Sequence, residues 1–111
     1  MKNTFGKSLS AERLEELLEN NPSARRKVST LLSTYTNHLL LVTQAKNPST
    51  VRLCMDLLRD YTLNRVDIKV NLSPDIRTYT KNVIIARYRA FRHGFETVSK
   101  MMKRLEDDNT P

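Results

Sequence analysis

A mainly α fold, a compact bundle of about five helices in one domain, is what this sequence predicts, and three observations predict it. Two glycines and four prolines interrupt a chain of 111 residues, so long regular elements are favoured. Apolar side chains recur at i, i+3, i+4 and i+7 through most of the chain. Several of these stretches open on a helix-starting signal, a small polar cap or Asn followed by Pro.

Ser10 reads as the cap of a first helix running from Ala11 to about Asn20, with Leu9 and Leu14 spaced as a hydrophobic staple and Glu12 in the first turn. Asn20-Asn21-Pro22 ends it. A second helix runs from near Ser23 to about Ala45 and places Val28, Leu31, Leu32, Tyr35, Leu39 and Val42 on one face. Leu40 and Leu41 fall off that face, which marks this helix as central or as carrying a second contact surface. Asn47-Pro48 opens the third helix, whose expected buried stripe is Val51, Cys54, Met55, Leu58 and Tyr61. The second and third helices share a repeat at an offset of 26: Asn21-Pro22-Ser23, Arg26, Leu31-Leu32 and Tyr35-Thr36 return as Asn47-Pro48-Ser49, Arg52, Leu57-Leu58 and Tyr61-Thr62. An αα-hairpin explains such a pair.

Then the period changes. Residues 65–72 alternate polar and apolar, with Val66, Ile68, Val70 and Leu72 on one side, the signature of a short strand. A lone strand must satisfy its backbone groups elsewhere, and pairing with the same strand of a second copy across a two-fold axis is one solution; an extended connector is the other reading. Ser73-Pro74-Asp75 starts a fourth helix that reaches His93 and stops at Gly94. Its apolar face is expected at Ile76, Tyr79, Val83, Ala86 and Ala90. A fifth helix, Glu96 to about Leu105, carries Val98, Met101, Met102 and Leu105, and Glu106 to Pro111 forms a frayed tail.

Charge narrows the function. Lys and Arg number 19 against 12 Asp and Glu, a net +7, and residues 77–104 hold eight basic groups against the single Glu96. Residues 1–64 thus form a helical core region and residues 65–111 a basic one. Clustered positive charge points to a polyanion, or else to a solvated basic face. Catalysis finds no constellation: His38 and His93 lie far apart and have no metal-ligand neighbour at i+4, the glycines (Gly6 and Gly94) form no phosphate loop, and the lone Cys54 excludes an internal disulfide. Cys54 and His38 read as core or boundary residues. No apolar run exceeds four residues and no secretory signal precedes the first helix, so the expectation is a cytoplasmic protein with no membrane span, no cofactor and no metal.

On a helical wheel Arg77, Lys81, Tyr88 and Arg92 fall within an arc of roughly 60°, opposite the expected apolar stripe, with Arg89 beside them. Such a row can neutralise phosphates while Tyr88 stacks on an unpaired base. Arg87 resists the pattern, since it projects within the apolar arc and must snorkel, bend the helix or meet another molecule.

The run of alternating strand, Ser-Pro-Asp helix start, glycine and final helix over residues 65–105 resembles the ribbon-helix-helix DNA-binding proteins. That resemblance implies a homodimer whose paired strands enter the major groove, with Asp67, Lys69 and Asn71 reaching base edges and the helix start at Thr97 and Ser99 holding a phosphate. The expected function is therefore non-enzymatic binding of DNA or RNA, as a regulator or as a helical small subunit of a nucleoprotein complex, through Lys69, Asn71, Arg77, Lys81, Tyr88, Arg89 and Arg92. The alternative is a helical adaptor, chaperone or inhibitor whose basic face meets an acidic protein and whose Leu40, Leu41, Leu53 and Leu57 supply apolar contact.

Overall fold

The computed structural model describes residues 11–108, and the expected Ser10 cap and the staple between Leu9 and Leu14 fall outside the described residues and side chains. Within that span the chain forms α1 (Ala11–Glu19), α2 (Pro22–Val42), α3 (Pro48–Ile68) and α4 (Pro74–Asp108), a mainly helical bundle with no strand among the described residues. The repeat at an offset of 26 is structural. Pro22 and Pro48 begin the two helices, Val42 and Ile68 end them, and each helix has 21 residues. Asn21 Oδ1 accepts from the Ala24 N–H at 3.1 Å, and Asn47 Oδ1 accepts from Ser49 and Thr50 at 2.9 and 3.2 Å. Each cap thus satisfies amides that have no partner inside the helix.

The core combines Ala24, Val28, Leu32, Tyr35 and Leu39 of α2 with Val51, Met55 and Val66 of α3, Leu72 of the connector, and Ile76 and Ile84 of α4. Leu31, Val42 and Leu58 pack against it half-buried. Two residues expected in the stripe of α3 are displaced: Cys54 is half-buried and Tyr61 is 60 % exposed. The cause is visible in the repeat. Burial on α2 at 24, 28, 35 would map onto 50, 54, 61, but α3 buries 51, 55 and 62. The inward face of α3 is rotated by one residue, about 100°. His38, expected at the core or its boundary, is exposed.

The alternating segment is not a strand. Arg65 to Ile68 complete the last turn of α3, and the Lys69 and Val70 amides both donate to Arg65 O, at 2.8 and 3.1 Å, closing the helix. Val66 and Leu72 are buried and Val70 half-buried, while Ile68 is 66 % exposed. Helix plus a short connector therefore buries most of the apolar set that alternation suggested, and the amides of 65–68 and the Arg65 carbonyl find helical partners without a second chain.

The fourth and fifth helices are one. Gly94 continues the helix, its φ is not positive, and a Cβ there would meet nothing within 4 Å, so it is tolerated mid-helix at a cost of about 1 kcal/mol relative to Ala. Residues 106–108, expected in the tail, belong to its last turn. Its buried face matches the expected one only in part, at Ile76 and the half-buried Val83. Ile76, Thr80 and Ile84 are buried, whereas Ala86 and Ala90 are exposed. Thr80 is admitted because its hydroxyl donates to Ile76 O at 2.7 Å. Arg87 lies in the same arc, where its Nη1 donates to Thr36 Oγ1 at 2.6 Å and to Leu32 O at 3.2 Å on α2.

Replacing the fully buried Leu39 by Ala should cost roughly 2–5 kcal/mol in urea unfolding; a loss below about 1 kcal/mol would show that α2 presents another face. Arg87→Ala should cost about 1.5–3 kcal/mol, the range of hydrogen bonds made by a charged donor, and an unchanged midpoint would mean that Arg87 does not join α4 to α2.

Candidate nucleic-acid interface

The rotation of α4 decides what its basic row touches. Arg77, Lys81, Tyr88 and Arg92 flank the buried arc instead of opposing it, so they meet α3 and the connector. Lys81 Nζ reaches Asp67 at 3.0 Å. Arg92 binds Asp56 through Nη1 at 3.2 Å and Glu96 through Nε at 3.1 Å. Arg77 Nη2 donates to Leu72 O at 3.0 Å. The Tyr88 hydroxyl donates to Asp56, accepts from Arg92 at 2.7 Å, and lends its ring to the Arg59 guanidinium 4.5 Å away. Arg52 of α3 closes the seam on Glu96 at 3.4 Å. Burial and the hydrogen bond to Asp56 push the Tyr88 phenol up, and the bonded Glu96 raises Arg92.

These side chains are about one-third exposed, so each pair is worth little in stability, roughly 0–1 kcal/mol. What matters is that their positive charge already faces a carboxylate or a carbonyl. Of the expected α4 group, Arg89 alone is exposed without an ion pair among the described residues.

A different surface gathers unpaired cations. Between α2 and α3 runs a groove of about 720 Å³ bounded by those two helices and the connector. Arg26 and Lys27 line it from α2, Arg65 and Lys69 from the end of α3, and Asn71 from the connector. No carboxylate among the described residues lines it. None of the four cations makes an ion pair among the described residues, and all four are exposed. His38 and Tyr61 complete one wall, with Arg65 Nη1 donating to the Tyr61 hydroxyl at 3.3 Å and its guanidinium 5.7 Å from the ring. Arg65 is thus held extended along the groove by its own helical neighbour at i−4.

Lys69 and Asn71 of the expected set lie here, while Arg77, Lys81, Tyr88 and Arg92 lie in the α3–α4 seam. Arg26, Lys27, Tyr61 and Arg65 were not among the expected contacts. A signal existed for the last two: Tyr61, Arg65 and Lys69 are spaced i, i+4, i+8, one helical row, which the strand-like alternation of 65–72 obscured.

Tyr35 lies at the floor of the groove, 1 % exposed, and its hydroxyl has no hydrogen-bond partner among the described residues. Burial pushes its phenol up to about 12, the Arg59 charge pulling the other way. The histidines and Cys54 are not brought together, and no three His, Cys, Asp or Glu among the described residues group as a metal site. No helix among the described residues is long and apolar enough to cross a membrane. No protein-family model, curated protein or solved structure is detectably similar to this chain.

Because the folded-state value of Tyr35 lies above the ordinary 10.0, the unfolded chain loses this proton first on titration, and the stability present below pH 10 is lost as pH rises from 10 towards 12. Tyr35→Phe should flatten that alkaline loss relative to wild type. At neutral pH it should leave stability unchanged or raise it by up to about 1 kcal/mol, since no bond is removed with the buried hydroxyl. A neutral-pH loss above about 1 kcal/mol would reveal a partner for that oxygen.

Proposed function

We propose that this chain is a non-enzymatic nucleic-acid-binding protein that holds the phosphates of a single strand in the groove between α2 and α3. The observation that carries this reading is the groove's lining, four cations from opposite walls with no carboxylate among the described residues. In the seam between α3 and α4, by contrast, Arg52, Arg59, Lys81 and Arg92 are met by Asp56, Asp60, Asp67 and Glu96. Unpaired cations facing one another across a cleft concentrate positive potential there and attract a polyanion. A groove between neighbouring helices, whose axes pack about 8–10 Å apart, admits one backbone strand and not a duplex. Tyr61 and the planar Arg65 guanidinium offer faces on which an unpaired base can stack. Asn71 and Lys69 extend the same wall.

The alternative reading, an acidic protein partner, draws on a specific feature outside the groove: Leu40, Leu41, Leu53 and Leu57 on α2 and α3 are 47–65 % exposed, and an amphipathic helix could cover such side chains.

Binding of single-stranded DNA and RNA should weaken as salt rises. The triple replacement of Arg26, Arg65 and Lys69 by Ala should shallow the log–log slope by about two units, three phosphate contacts at roughly 0.7 each. It should weaken all sequences alike, since phosphate contacts position without specifying. Lys81→Ala, which removes a cation already paired with Asp67, should leave the slope as it was. Helical content measured on the same variants confirms that the fold is intact. An unchanged slope in the folded triple variant would remove the groove from consideration. A wild type that binds neither strand near 0.1 M salt would leave the acidic-helix reading in its place.

A further inference from the structure

The bundle ends before α4 does. At about 1.5 Å per residue, the 35 residues of α4 outrun the 21 of α2 and of α3, and the molecule measures 62 Å along its longest axis against 32 and 19 Å. Arg52, in the second turn of α3, bonds to Glu96, which sets the level at which the neighbouring helices stop. Beyond it Val98, Met101, Met102 and Leu105 are 55–58 % exposed. These are not scattered residues. With Phe91 and Gly94 they fall on a heptad seam, Phe91, Val98 and Leu105 at one position and Gly94 and Met101 at the other, with Met102 flanking. The seam starts inside the bundle, where Phe91 and Phe95 pack against the core, and continues onto the overhang. At the junction is an apolar hollow of about 480 Å³ lined by Thr43, Ala90, Phe91, Gly94, Phe95 and Val98.

We propose that two copies of this chain associate through this overhang, their α4 helices antiparallel, with Val98 of one protomer opposite Met101 of its partner. Three observations select a second copy in this orientation. The seam alternates its two apolar positions about a point between Ser99 and Lys100, so an antiparallel copy lays each Val98 on a Met101. The same register carries the partner's Leu105 over Gly94 and into the apolar hollow, where the missing side chain leaves room. Charge agrees: antiparallel pairing sets the acidic end, residues 106–108, level with residues 91–93, which include Arg92, whereas parallel pairing would set acid on acid. This association is independent of the nucleic-acid reading, because it uses the opposite end of the molecule from Arg26, Arg65 and Lys69.

The experiment has two arms. Sedimentation equilibrium of the full chain from micromolar to near-millimolar concentration should show a monomer–dimer equilibrium. Met101→Glu combined with Leu105→Glu should weaken it at least about a hundredfold, each buried apolar side chain of this size being worth a factor of ten or more. Both positions are exposed in the single chain, so helical content should not change. For the register, two chains are prepared in a Cys54→Ser background, one with Val98→Cys and one with Met101→Cys. Mixed under mild oxidation, they should yield the disulfide-linked heterodimer in preference to either homodimer. A wild type that stays monomeric throughout, or a folded double-Glu variant that dimerises as wild type does, overturns the proposal. Preferential Val98→Cys homodimers overturn its antiparallel form.

Discussion

The guanidinium of Arg87 ties the inward face of α4 to α2, and much of the rest follows from which face that is. It sits in an arc that α4 turns inward, and a charge taken from water needs partners that replace its hydration. The Leu32 carbonyl and Thr36 hydroxyl of α2 are those partners. The residues two and three turns earlier, Thr80 and Ile76, face the same way, and Thr80 meets the demand by bonding back to Ile76 O. The face that looked apolar by composition alone, through Ala86 and Ala90, is turned out to solvent instead.

That rotation redistributes the molecule's charge. It carries Lys81, Tyr88 and Arg92 from a free surface into the seam with α3, where Asp67, Asp56 and Glu96 lie at bonding distance. A basic helix and a mixed-charge helix thus meet along one seam, and the surplus positive charge is left where the acids do not reach. Arg26, Lys27, Arg65 and Lys69 remain around the α2–α3 groove. A net charge of +7 says that a basic surface exists; the ion pairs determine which basic surface is still available to a partner.

The αα-hairpin shows the same division in its two halves. Equivalent Asn-Pro starts cap α2 and α3, which are of equal length, yet the two helices do not present equivalent faces to the shared core. One residue of rotation puts Tyr35 on the floor of the groove and its repeat equivalent, Tyr61, on the groove's exposed wall. A duplicated sequence pattern has in this way produced one buried and one presented tyrosine.

By itself the sequence determined the helical class, the starts of α2, α3 and α4, and the central core residues Leu32, Tyr35, Leu39, Val51 and Met55, because caps, proline and 3.6-residue periodicity act within a few residues of chain. It also marked Lys69 and Asn71, which line the groove, and the stripe Val98, Met101, Met102 and Leu105, which stays exposed. Tertiary structure decided the remainder. Whether residues 65–68 extend α3 or form a strand depended on where Val66 and Leu72 could be buried, since alternating apolar residues satisfy more than one local geometry. Whether Gly94 ended a helix depended on continuation being tolerable where no neighbour crowds it. Which cations stay unpaired depended on carboxylates distant in sequence, 36 residues in the case of Arg92 and Asp56, and no local pattern records a distance across the fold.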